Sequence, residues 1–294
     1  MFQQSHGAFM AGRARYEPMI KLSSAIMPNQ FIAHEPGSFR MFEAGVDANA
    51  VFAVSPDNFV KLGLYGNARH YQFTSSSRLA DETIYAAGVK VGFGWFLSED
   101  VLLEIEARPG VFSDLDGSLK HNDYDVPSHA LFTFRGTSSF YWKLGVRYNQ
   151  IFADAPWLPY LGMSWDITGT VMPPGETSDA GAWRLDVLLP EYAELSYWMT
   201  GSTAFSLGAQ IQGAEYHVRT SSVSGRQRDN LRVQEVQAYL GMTHRFNDMF
   251  SFMVQAGANV AGQYDLTNGA TGFQHVDGAL GQGFFATASI GFDF

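Results

Sequence analysis

Apolar and polar residues alternate with a period of two along almost the whole chain. The clearest stretch is Leu131–Tyr148, where Phe132, Phe134, Phe140, Trp142, Leu144 and Val146 share one face and Thr133, Arg135, Tyr141, Lys143 and Arg147 the other. A helix would return to one face every third or fourth residue, so this phase specifies extended strand. The pattern recurs at 42–54, 59–73, 84–96, 101–112, 157–168, 204–219, 231–246, 249–264 and 282–294. In 183–199 the odd positions from Trp183 to Met199 remain apolar across Pro190, which reads as one long strand kinked or bulged at the proline rather than two. Eleven strands result.

The connections alternate in length. Short ones at Ser55–Asn58, Leu97–Asp100, Thr200–Thr203 and Asn247–Asp248, with a somewhat longer one at Gln150–Pro156, take turns with long polar ones at 74–83, 113–130, 169–182, 220–230 and 265–281. Strict alternation is the topology of an up-and-down barrel with tight turns at one end and long loops at the other. Parity then demands an ascending strand before 42–54, and 16–27, with Ile20, Leu22 and Ile26 opposite Lys21 and Ser23, is the candidate. The expectation is a single all-β domain over 1–294, a transmembrane antiparallel up-and-down β-barrel of about 12 strands, with 1–15 an irregular N-terminal segment.

Alternation alone does not decide which face is wet, because a soluble barrel or sandwich alternates with its apolar face inward. Four features favour apolar-outward. Strands of about 12 to 17 residues exceed globular ones and suffice to cross a tilted apolar band. The polar faces carry Gly, Ser, Thr, Gln and Tyr rather than the Lys and Glu of a solvated strand. Aromatic residues Phe42, Trp95, Trp157, Phe246 and Phe284 lie toward strand ends as interface girdles do. The chain stops at Phe294 with Phe292, Ile290 and Ala288 in phase, which resembles the assembly signal of bacterial outer-membrane proteins.

Composition agrees. Charged residues are 16% against roughly 25% in soluble domains, while aromatics reach 15%. The absence of cysteine excludes a disulfide scaffold, a thiolate zinc site and a cysteine nucleophile. A net charge of −10 argues against nucleic acid, whose phosphates need a basic surface. No apolar run approaches the ~18 to 20 residues of a spanning helix. Met1–Gly12 lacks the apolar core of a secretory signal, so export is inferred from the rest of the chain, with a signal already removed as the simplest reading. The expected location is the bacterial outer membrane, integral, in a Gram-negative envelope.

Two stretches, PWLPYLGMSWD at 156–166 and WRLDVLLPEYAELSYWMTGSTAFSLGAQIQGAEY at 183–216, resemble a family of bacterial outer-membrane barrels known only as a domain of unknown function. The two stretches make up 45 of the chain's 294 residues. It implies the barrel fold and transfers no functional residues.

Phasing the strands turns nine basic residues into the lumen: Lys61, Arg69, Lys90, Arg108, Arg135, Lys143, Arg147, Arg184 and Arg245. It turns nine acidic ones there as well: Glu43, Asp47, Glu104, Glu106, Asp166, Asp186, Glu194, Glu235 and Asp293. The lining is therefore balanced and the −10 belongs to loops, turns and the N-terminal segment. In a narrow lumen such groups should pair, and Glu106 with Lys143 is the expected pair if strands 101–112 and 131–148 are neighbours. The lining suits a narrow porin-like channel for small polar solutes. Interlocked charges would instead close the lumen and leave a structural or docking barrel that binds a protein or lipid partner. The balance of signs slightly favours interlocking, because strongly selective pores show one dominant sign.

An enzyme, such as a barrel-embedded lipid hydrolase, is the weakest reading. The eight histidines, His6, His34, His70, His121, His129, His217, His244 and His275, show no Ser or acid partner at a recognisable spacing. No cofactor is expected. In the loop SDLDGSLKHNDYD, the residues Asp114, Asp116, Asp123 and Asp125 are hard oxygen donors suited to calcium, but their spacing is not that of an EF-hand, and a solvated acidic loop is the plainer reading. Inward Tyr65, Tyr141 and Tyr239 offer stacking surfaces for sugars or fillers over neighbouring glycines, and the register places Tyr239 against Gly257. Gly88, Gly92 and Gly94 relieve curvature rather than bind phosphate, since no helix follows them. Expected partners are membrane lipid and lipopolysaccharide, the outer-membrane assembly machinery and an envelope protein.

Overall fold

A computed structural model describes residues 19–33, 37–74, 81–149, 151, 155–169, 178–222, 225–268 and 274–293. In chain order its strands are β1 (Ile20–Gln30), β2 (Phe39–Ser55), β3 (Asn58–Phe73), β4 (Glu82–Ser98), β5 (Val101–Ala107), β6 (Gly110–Ser113), β7 (Tyr124–Asp125), β8 (Ser128–Thr137) and β9 (Phe140–Tyr148). There follow β10 (Trp157–Thr168), β11 (Ala182–Leu189), β12 (Tyr192–Trp198), β13 (Thr203–Ser222), β14 (Gly225–Asn247), β15 (Phe250–Asn268), β16 (Gln274–Ala279) and β17 (Gly283–Phe292). A 3-10 turn over His121–Asp123 precedes β7. Neighbouring wall strands are antiparallel, and β1 closes the circle by pairing with both β2 and β17. Segments β5 and β6 both pair with β4 and form one wall strand. Likewise β7 with β8, and β16 with β17, each make one, so the closed barrel has fourteen strands.

Fourteen replaces the twelve expected from the pattern, for a definite reason. Leu131–Tyr148 is a hairpin, β8–β9, and 183–199 is another, β11–β12. Arg135 faces Tyr141, and Leu188 faces Tyr192. In each case an odd number of residues separates facing positions, so both arms keep one parity and the apolar phase runs through the turn as if the strand continued. Splitting only one stretch would upset the alternation of ends, but splitting both restores it. The consequence is that 149–156 joins the loop-side end, whereas 169–181 joins the end that carries the tight turns at 56–57, 99–100, 138–139 and 248–249. The first strand runs over Ile20–Gln30 rather than 16–27, whose residues 16–18 lie outside the described ones.

Two expected loops are largely strand. Residues 220–230 and 265–281 carry the tips of β13, β14, β15 and β16, and β13 stays paired with β14 up to Ser222 and Gly225. At about 3.3 Å per residue, the 23-residue β14 is roughly 70 Å long against about 26 Å for the nine-residue β9, so the wall is tall on one side and low on the other. The tall side extends past the apolar band, and its outer face loses the alternation that marks a strand in sequence.

Outward side chains form that band: Leu62, Leu64, Val91, Trp142, Leu144 and Leu207 are among many large apolar groups left exposed. Toward the turn side an aromatic girdle runs along it, with Phe140 beside Trp142 and Trp165, Trp183 beside Tyr197, and Phe250 beside Phe246 and Phe292. Trp157 packs on Tyr148 at the other rim. Inside, at the loop-side end, the tall walls meet. Met27, Phe39, Met41, Tyr71, Tyr264 and Leu280 belong to one buried apolar cluster between β1–β4 and β13–β17. The end is also pinched: Ser113 bridges His217 in parallel, joining wall strands six places apart, and the Asp114 N–H donates to the His217 carbonyl at 3.3 Å. Pro109 and Pro127, in neighbouring wall strands, interrupt the ladder just below this crossing.

Candidate functional site

Below the apolar cluster the inner face turns polar along the same strand phase. On β2, Phe39 and Met41 give way to Glu43, Gly45 and Asp47. On β3, Tyr71 gives way to Arg69, Asn67 and Tyr65. The charges pair almost completely. Arg69 is bonded to Glu43, its register partner on β2, and its Nη1 lies 3.8 Å from Glu235 across the lumen on β14. Lys90 is bonded to Asp47. Glu106 receives Lys61 at 2.8 Å and Arg108 at 2.6 Å. Arg147 meets Glu191 at 2.8 Å, and Arg135 meets Asp100 at 2.9 Å.

A second knot fills the low wall. Arg184 bonds Asp186 at 2.6 Å and approaches Asp166 at 3.4 Å; Asp186 also accepts from the Ser164 hydroxyl at 2.6 Å and faces Lys143 at 3.9 Å. Lys143, Arg184 and Asp186 are buried, so these charges are stable only because each has a partner. The expected Glu106–Lys143 pair is therefore corrected. Strand β9 faces β8 and β10, not β5, and Lys143 is drawn to Asp186 while Glu106 is taken by Lys61 and Arg108.

The remaining inward residues fall as follows. Glu104 lies between Gly94 and Leu131 in register. Glu194 accepts the Tyr239 hydroxyl at 2.6 Å, Arg245 lies 4.6 Å over the Trp198 ring, and Asp293 accepts the Met19 N–H at 3.0 Å. Tyr239 does face Gly257 in register, but its ring covers Gly208 on the other neighbour: a Cβ there would fall 2.5 Å from the ring. Phe294 lies outside the described residues.

A cavity of about 380 Å³ opens inside the barrel. Its lining runs from Lys21 and Ser23 on β1 to Asn149, Ile151 and Glu191 at the loop-side rim of the low wall, with Glu43, Asp47, Asn67, Arg69 and Lys90 between. Lys21, Asp125, His129 and Glu191 were missed as lining from sequence. Asp125 and His129 fall in 113–130, which reads as a loop, and Glu191 falls in the turn of the β11–β12 hairpin, which the continuous phase of 183–199 conceals. The calcium candidates do not converge. Asp114 accepts the N–H groups of Arg219 and Asp116 at 2.5 and 2.9 Å, Asp123 that of Lys120 at 2.6 Å, and Asp125 that of Val126 at 2.7 Å. Among the described residues no cluster of three or more His, Asp or Glu could hold a metal ion. Of the histidines, His70 meets Thr83 and His244 meets Thr203 across strands, each at 2.9 Å.

The chain is similar to several solved structures. The COG4313 outer membrane channel from Pseudomonas putida F1 aligns with a TM-score of 0.47 at 8% identity, covering 95% of this chain and 97% of that one. The Pseudomonas putida toluene transporter TodX aligns with a TM-score of 0.36 at 7% identity over 97% and 96%. Acinetobacter baumannii OccAB4 aligns with a TM-score of 0.34 at 8% identity over 92% and 97%. No curated protein matches the chain. A family profile described as a domain of unknown function (DUF6268) matches residues 63–291, and the chain belongs to that family.

Proposed function

We propose that this protein is an integral outer-membrane barrel acting as a narrow, porin-like channel for small polar solutes. The observation that carries the reading is the inversion of the wall: Trp142, Leu144 and Leu207 are exposed on the outside while Arg69, Lys90, Asp186 and Glu235 are buried within. Water outside would favour the reverse arrangement, whereas a bilayer favours this one. The charge-lined cavity, reaching from β1 to the rim at Glu191, supplies the aqueous part of the route. The apolar cluster and the Ser113–His217 crossing narrow the loop-side end and favour entry over the low wall.

The same cluster and crossing support a second reading, a closed barrel that docks an envelope partner. Purified protein should run as a fast-migrating band that slows on boiling. Reconstituted in planar bilayers, it should give reproducible small conductance steps. A silent bilayer from protein that retains the fast-migrating form would overturn the channel and leave the docking barrel.

A further inference from the structure

Resting on the channel reading, we infer that the central cavity is a binding site for an uncharged, multiply hydroxylated solute of mono- or disaccharide size. Each strongly basic side chain that the cavity meets has an acid beside it on the wall: Arg69 has Glu43 and Glu235, Lys90 has Asp47, Arg108 has Glu106, and Arg147 has Glu191. Lys21 faces the same Asp47 in register, and the remaining lining acid, Asp125, accepts the Val126 N–H at 2.7 Å. A charged solute would have to break one of these pairs or lie in the lumen without a counter-charge, and either costs several kcal/mol.

The Oδ1 of the cavity-lining Asn67 is buried without a hydrogen-bond partner, and the Nη1 of Arg69, a residue 4% exposed, has only the long 3.8 Å contact to Glu235. One accepts and the other donates, and the two residues are adjacent inward positions on β3, about 7 Å apart along the strand. Hydroxyl groups both donate and accept, so two hydroxyls of one sugar ring match this pair without bringing a charge. Gln212 adds an amide from the facing wall. Tyr65, Phe112 and Tyr216 add aromatic surface for the ring's C–H face, with centroid separations of 6.4 and 6.2 Å along the series. The volume, about 380 Å³, falls at the small end of the roughly 300–1,000 Å³ of ligand sites.

The test is calorimetric titration of the detergent-folded protein with glucose and maltose, set against glucose 6-phosphate, gluconate and glucosamine. Saturable binding of the neutral sugars, at least tenfold tighter than of the charged analogues, is expected. Asn67→Leu and Gln212→Leu should each weaken it by about five- to tenfold, the loss of one hydrogen bond to the ligand, while retaining the fast-migrating band. Preference for a charged analogue, or no binding by any sugar, overturns the proposal. Bilayer recordings on the same preparation separate the two readings. Conductance without sugar binding refutes the site and leaves the channel, whereas sugar binding by a silent barrel refutes the channel and leaves the site.

Discussion

Individual side chains in this barrel are held by close approaches that a small change should disturb. Gly208 is the clearest case, because the Tyr239 ring occupies the space where a Cβ would be and its hydroxyl reaches Glu194 at 2.6 Å. Gly208→Ala should displace the ring, break that bond and lower stability by about 1–3 kcal/mol in urea unfolding of the refolded protein. Tyr239→Phe keeps the ring and removes only the hydroxyl, so its cost should be smaller, about 1 kcal/mol. Glu82 tests electrostatics outside the apolar band. It is the first residue of β4, seven positions before Val89, the first exposed large apolar side chain on that strand. Burial, with Asp114 and Asp229 nearby, pushes its carboxyl from the ordinary 4.5 up to about 7. Between those values the folded chain keeps a proton that the unfolded chain releases, so this group's contribution to stability is greatest below about pH 4.5 and declines as pH rises through 7. Unfolding midpoints measured from pH 4 to 8 should show that slope, and Glu82→Gln should flatten it.

At the scale of elements, the β10–β12 wall depends on its buried charges being complete. Asp186 bonds both Arg184 and Ser164 and faces Lys143, so Asp186→Leu leaves two buried cations short of their acid. We expect a loss of about 3–5 kcal/mol, with much of it recovered in the double variant Arg184→Met/Asp186→Leu because the cation leaves together with its acid. A double-mutant cycle in urea checks this, and additive losses would show that the pair is uncoupled. The two hairpins are where the pattern misled. Phe134 and Trp142 lie on one face of the barrel, as their spacing says, but on adjacent strands rather than along one. Periodicity reports which face a residue takes, and a turn that preserves parity leaves no mark on it. Pro190 is the local mark of the second turn, and there the proline's ordinary meaning as a break holds despite the continuous phase around it.

For the molecule as a whole, the revised strand count exchanges the ends to which two connections belong. Residues 190–191 now join the loop-side end with 149–156, and 169–181 the opposite one. A short epitope inserted after Pro190 should therefore be labelled by antibody on intact cells, whereas one inserted within 170–177 should be labelled only after the outer membrane is permeabilised. A twelve-strand chain with 183–199 as one strand predicts loss of folding for the first insertion and surface labelling for the second.

Much of this protein is determined by its sequence read alone. The β class and the division of each strand into two faces follow from a period of two, because strand geometry assigns each side chain to a face without reference to its neighbours. The up-and-down circuit follows from the alternating connection lengths, and the apolar-outward phase from strand length, polar-face composition and the aromatic residues toward strand ends. The tertiary structure decided what that period does not encode. Which charges meet depends on which strands are adjacent and in what register, so Lys143 finds Asp186 rather than Glu106. How far β13 and β14 extend depends on backbone pairing that polar sequence permits but does not announce. Whether the inside is a tube or a cavity depends on opposite walls coming together, as Ser113 and His217 do from places 104 residues apart in the chain.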